Sequence, residues 1–150
     1  MTGDVRSPGS DWLAECSFSP TTVRRAWADE DLAAVPTKQW TVVEADLLPS
    51  IETLHALRSR GRSGPVLAAP EMRLAWWLIP VDAAAYVAEA LPAVTVQPRS
   101  WPLRCPPTEY ACGGRCWLEK PDGTGRLTDP AQLVAAFGSA AAVLTGHRCL

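Results

Sequence analysis

Trp40-Thr41-Val42-Val43-Glu44-Ala45-Asp46 is the stretch on which the reading of this chain turns. Its β-branched residues favour an extended backbone, and two carboxylates one residue apart close it. In a pleated strand, residues i and i+2 point to the same face. Glu44 and Asp46 can therefore grip one divalent cation, Mg2+ or Mn2+, as a two-metal nucleotidyl-transfer site requires. Asp46-Leu47-Leu48-Pro49-Ser50 is also a natural strand-to-helix turn, in which an acid stabilises the helix N-terminus. Both readings stand at this point.

On the C-terminal side, Pro49-Ser50 opens a helix with Ile51, Leu54 and Leu57 on one stripe, ended by Gly61 and Gly64-Pro65. Residues 66–69 form a short apolar strand. Pro70-Glu71-Met72 is a turn, and residues 73–79 return as the second strand of a hairpin carrying Trp76-Trp77. An alanine-rich helix covers 81–91, and 94–96 is a brief strand. Residues 103–105 and 115–118 read as adjacent strands joined by a proline- and glycine-rich loop. Thr128-Asp129-Pro130 caps a last helix over 131–145, with Leu133, Val134, Phe137 and Leu144 available to cover the sheet.

On the N-terminal side, residues 1–10 read as a disordered tail of Gly, Ser, Pro and charge. Asp11 caps a short helix over 12–16. Ser19-Pro20 starts another over 21–30, with Val23 and Trp27 on its buried face. Leu32 to Pro36 serve as a connection. Helices followed by β-α-β-β-α-β-β-β-α make an α+β domain with a largely antiparallel sheet. A single domain over 11–150, with N-terminal helices 11–30 and core 38–145, fits the length of 150 residues.

The apolar fraction of 47% and charged fraction of 20% are those of a globular chain. Its net charge of −2 offers no general attraction to phosphate backbones. The one basic run, Arg58-Ser59-Arg60-Gly61-Arg62, is also what a helix C-terminus carries to complement its dipole. No stretch approaches a membrane span, and the start lacks the apolar core of a signal peptide. The expectation is a cytoplasmic protein with its five cysteines reduced.

Three segments in order resemble the N-terminal domain of bifunctional DNA primase/polymerases (prim-pol). The first is Val42-Val43-Glu44-Ala45-Asp46 followed by Leu54-His55-Ala56-Leu57, similar to that family's strand, acid-x-acid motif and helix. The second is Gly64-Pro65-Val66 through Arg73-Leu74-Ala75-Trp76-Trp77-Leu78-Ile79-Pro80, similar to its hairpin. The third is Leu103-Arg104-Cys105-Pro106-Pro107-Thr108 with Gly113-Gly114-Arg115-Cys116-Trp117-Leu118, similar to its closing strands. The resemblance spans residues 38 to 140 and implies a prim-pol/RRM-like sheet flanked by helices, here with an N-terminal helical extension.

The departures bear on activity. The family's first acid is aspartate, and here it is Glu44. Its histidine falls on Leu74, and its third carboxylate falls in 94–101, which holds no acid. One carboxylate pair alone cannot hold two metals and a triphosphate in line. The resemblance therefore implies a shortened relative without the catalytic set, one that binds a nucleotide, a nucleic acid or a protein partner. The alternative is residual metal-dependent nucleotidyl transfer through Glu44 and Asp46.

Cys105, Cys112 and Cys116, with His147 and Cys149, lack the C-x2-C knuckle of a zinc site. His55 reads as a surface residue, so no Cys/His nucleophile emerges. Lys120-Pro121-Asp122-Gly123-Thr124-Gly125-Arg126 has the composition of a phosphate-binding turn without its strand-to-helix context. Alternation places one of Trp76 and Trp77 outward. An exposed Trp77 with Arg73, Arg104 or Arg115 can stack a base or anchor a partner, unless helices cover that face.

Overall fold

A computed structural model describes residues 7–61 and 63–148, with side chains through residue 142. The chain is α+β. Its centre is a five-stranded antiparallel sheet built from β2 (Thr41–Asp46), β3 (Val66–Ala69), β4 (Leu74–Ile79), β5 (Thr95–Val96) and β7 (Cys116–Glu119), in the order β5-β2-β4-β3-β7. A separate two-stranded ribbon pairs β1 (Ala33–Val35) with β6 (Leu103–Cys105). Helices α1 (Pro8–Cys16), α2 (Pro20–Ala28), α3 (Leu47–Arg58), α4 (Ala84–Ala90) and α5 (Pro130–Arg148) complete it.

The segment β2-α3-β3-β4-α4-β5 follows a β-α-β-β-α-β chain order, and its strands lie fourth-first-third-second across the sheet. This is the split β-α-β arrangement, in which each helix crosses over a central strand. β2 and β4 are those central strands. Their register sets Glu44 opposite Trp76, Asp46 opposite Leu74, and Val43 opposite Trp77.

Both faces of the central strands are apolar, and both are covered. Val43, Ala45, Ala75, Trp77 and Ile79 pack with Leu54, Leu57, Val87, Leu133 and Phe137 of α3, α4 and α5. On the other face Val42, Trp76 and Leu78 pack with Leu13, Val23, Trp27, Val35 and Leu103 from α1, α2 and the β1–β6 ribbon. Trp76 and Trp77 are 1% and 0% exposed. Each buried indole contributes roughly 4–6 kcal/mol of transfer free energy as an upper bound. Adjacent tryptophans on one strand thus anchor two opposite layers. The expectation that one of them, Trp77, faces outward is corrected: α3, α4 and α5 cover Trp77, and the N-terminal helices with the ribbon cover Trp76.

Several boundaries also shift. Residues 8–10, expected within the tail, are the first turn of α1: Ser7 caps it by accepting from the Ser10 amide at 3.2 Å, and Pro8 sits at the first helical position. Residues 1–6 lie outside the described residues. Residues 33–35, expected as a connection, are strand β1. That pairing places 103–105 in the ribbon, whereas β7 pairs with β3, so the strands of Cys105 and Cys116 belong to different sheets. α3 begins at Leu47, one residue after Asp46, and Pro49 falls in the first turn, where a missing N–H costs no helical bond.

Candidate functional site

β2 places Glu44 and Asp46 on one face, as strand alternation requires. Their surroundings differ. Glu44 is half-buried, and one carboxylate oxygen, Oε1, accepts from the Trp76 indole N–H at 3.0 Å and the Gln97 amide at 3.3 Å. Gln97 is held there because its backbone N–H continues the β5–β2 ladder to the Val42 carbonyl at 2.9 Å. Asp46 is exposed at the start of α3 and makes no side-chain cap bond. Leu74, opposite Asp46, is half-buried and packs against the N-terminal core, so this position supplies only carbon.

For Mg2+ or Mn2+ the protein ligands on this face are Glu44 and Asp46. Among the described residues no group of three or more His, Cys, Asp or Glu is arranged to hold a metal ion. Two carboxylates, one already bonded to two N–H donors, do not fit a two-metal centre. The cysteines are dispersed in the same way. The Cys105 thiol is buried and points at the Leu103 carbonyl, 3.5 Å away. Cys112 and Cys116 are half-buried. The His147 side chain and Cys149 lie outside the described residues.

Arg115 is the cation stacked on Trp76, whose indole N–H is bonded to Glu44. A tight hairpin, Cys112-Gly113-Gly114-Arg115, presents it, with Cys112 and Arg115 exchanging backbone bonds of 3.2 and 3.0 Å. Both glycines have positive φ, 59° and 75°, as a type I′ turn requires. The guanidinium lies 4.3 Å from the centroid of the Trp76 ring and donates to the Arg104 carbonyl at 2.7 Å. Burial lowers the Arg115 pKa. Arg115 therefore joins sheet to ribbon as a structural wedge.

The other residues expected to bind a ligand do not converge. Trp77 is on the helix-covered face, where its N–H donates to the Ser50 hydroxyl at 3.1 Å, so it is closed to any ligand. Arg104 is exposed on the outer side of the ribbon. Arg73 is exposed in the β3–β4 turn, at the same end of the sheet as Asp46, where its carbonyl accepts from the Leu47 amide at 3.0 Å and its φ of 57° is left-handed. His55 is exposed on α3. The 120–126 segment closes as an Asx-type turn: the Asp122 carboxylate accepts from the Thr124 amide at 3.0 Å and its hydroxyl at 2.6 Å, which lowers the Asp122 pKa.

Sequence reasoning missed a groove of about 300 Å3 beside β7, between that strand and the loop carrying Thr108, Tyr110 and Ala111. Arg58 stands at it, held by Glu119 at 2.7 Å and by the Leu118 carbonyl. The Trp117 indole N–H is tied to the Pro106 carbonyl at 3.0 Å, and the Tyr110 hydroxyl donates to the Trp27 carbonyl at 2.9 Å. Both rings are thus fixed in place. The basic run over 58–62, Cys116 and the start of the 120–126 segment at Lys120 all touch this groove, but none of them signals a groove on its own. The basic run supplies Arg58 as the last residue of α3, and Gly61 follows with φ 64°. Arg62 lies outside the described residues.

Among the described residues no helix is long and apolar enough to cross a membrane. No protein-family model matches the chain, and neither the curated proteins nor the solved structures contain a match.

Proposed function

We propose that this chain is a non-catalytic binding protein on a DNA primase/polymerase-like scaffold, and that its ligand is a protein partner. The β-α-β-β-α-β order with Glu44 and Asp46 on the first strand supports the scaffold reading. One observation carries the functional reading: the sheet face bearing Glu44 and Trp76 is packed against the chain's own α1, α2 and β1–β6 ribbon. A base or triphosphate has no open sheet to lie on there. The Glu44 carboxylate is already committed to Trp76 and Gln97. The overall charge of −2 gives nucleic acid no further attraction.

Metal-dependent nucleotidyl transfer is the competing reading, favoured by the exposure of Asp46 on the same face as Glu44. A primer-extension assay with Mg2+ or Mn2+ and dNTPs separates the two. The expected result is no incorporation and no calorimetric heat with dNTP or single-stranded DNA at low salt. Incorporation that disappears in Asp46→Ala overturns the non-catalytic reading. Nucleotide or DNA binding without incorporation overturns the choice of a protein ligand.

A further inference from the structure

We propose that the groove beside β7 accepts an extended, acidic peptide strand that pairs with the β7 edge. This deepens the binding-protein reading above and rests on it. The groove is touched by every residue from 116 to 120. Alternate residues of a strand point to opposite faces, so a cavity that meets all of them runs along the strand's free edge rather than over one face. Among the described residues β7 is the last strand of the sheet, paired only with β3. An edge of this kind presents main-chain N–H and C=O groups, which an added strand satisfies.

The shape of the groove selects the occupant. Its far wall is Thr108, Tyr110 and Ala111, so the β7 edge lies in a slot rather than on an open border. A second copy of this chain would bring its own wall and could not lay its β7 in the slot; a single extended strand can. The opposite sheet edge, β5, is only two residues long, with Pro92 before it and Pro98 after it, and offers little to pair with. β7 also carries an irregularity in its pairing with β3 between Leu67 and Val66, and Arg58 caps the Leu118 carbonyl. Those features discourage indiscriminate sheet extension, so an incoming strand must displace or accommodate Arg58.

Charge specifies the rest. Arg58 is paired with Glu119, while Lys120 forms no ion pair among the described residues. The slot is therefore net cationic at that end, and a carboxylate on the peptide complements it. Half-buried Cys116, Trp117 and Leu118 supply apolar surface for alternate side chains.

The test is selection of a displayed library of random short peptides against the full chain, with affinities from fluorescence anisotropy and binding mapped by amide shift perturbation. Expected are proline-poor, β-forming peptides with acidic residues that perturb residues 116–120. Their binding should weaken at least about tenfold in Ala111→Trp, which fills the slot from an exposed loop position. It should also weaken in Lys120→Glu, with circular dichroism confirming that both variants fold. No enrichment, or binding that Ala111→Trp leaves unchanged, overturns the proposal. A concentration-dependent dimer abolished by Ala111→Trp also overturns it, in favour of a second copy. These failures leave the non-catalytic reading standing; only the nucleotidyl-transfer assay removes that.

Discussion

The Trp76 indole N–H donates to the Glu44 carboxylate at 3.0 Å, across the ladder that joins the two central strands of the sheet. The same ring lies under the Arg115 guanidinium. A carboxylate that reads in sequence as half of a metal-binding pair is, in the fold, an acceptor that orients a buried tryptophan. The tryptophan in turn receives the wedge between sheet and ribbon. Both groups are shielded enough for the bond to matter, since a buried polar atom left without its partner incurs its full desolvation cost.

Trp76→Phe removes the N–H while keeping an aromatic ring under Arg115. It should lower stability by about 1.5–3 kcal/mol, the usual range for a bond to a charged acceptor, and Glu44→Ala should share part of that loss. Urea unfolding of the two single variants and the double variant gives the coupling. A coupling energy near zero would show that indole and carboxylate act independently.

Ser10 fastens α1 to the Pro-Pro turn. Its hydroxyl donates to Glu109 at 2.6 Å and accepts from the Thr108 amide at 3.0 Å, and the residue is 1% exposed. Ser10→Ala leaves both partners short of a bond and should cost about 1–3 kcal/mol. Hydrogen exchange should show faster exchange in α1 than in β4. Uniform acceleration across both elements would mean that α1 does not open separately from the sheet.

Gly64 has no room for a side chain. A Cβ there would lie 2.5 Å from the Thr128 backbone nitrogen and 2.6 Å from the Leu127 carbonyl carbon, and neither can yield as a side chain would. Gly64→Ala should therefore destabilise by about 1–3 kcal/mol through overpacking. Gly114→Ala meets no atom within 4 Å, but its φ of 75° imposes a backbone penalty of about 1–2 kcal/mol. Thermal melts of the two variants test both mechanisms; a Gly64→Ala protein as stable as the parent would refute the close packing.

Burial pushes the Cys105 thiol well above the ordinary range, with Arg115 only partly opposing it. The unfolded chain releases this proton from about pH 8.5, whereas the folded chain keeps it. The folded state then binds more protons, so stability present below that pH falls as pH rises, by up to about 1.4 kcal/mol per pH unit for one thiol. Denaturation measured from pH 7 to pH 10 should show this decline, flattened in Cys105→Ala. Burial raises Cys16 and Cys112 in the same direction, leaving a smaller slope in the variant.

Much of the architecture was legible because it is local. Val66–Ala69 and Leu74–Ile79 are unbroken apolar runs separated by Pro70, and they form the expected hairpin. Ser19 and Pro20 mark the start of α2 even though the Ser19 hydroxyl makes no cap bond to the helix. Ala33-Ala34-Val35 was missed because three small residues carry almost no pattern of their own. They are a strand only because residues 103–105 lie beside them. Trp77 was misjudged for a related reason. Alternation states that it faces away from Trp76, but not that each side has its own cover.

From the sequence alone came the common face of Glu44 and Asp46, because period-two alternation belongs to the strand itself. The tertiary structure decided what that face meets. Register puts Trp76 across from Glu44, the N-terminal helices and the ribbon close over both, and the β7 edge is left facing the 108–111 loop across a slot. Register and coverage depend on contacts between residues far apart in the chain, so no local pattern can encode them. Of an acid pair that suggests chemistry in isolation, Glu44 is accordingly held in a packed layer while Asp46 stays exposed at its rim, and a groove lies along the opposite edge of the sheet.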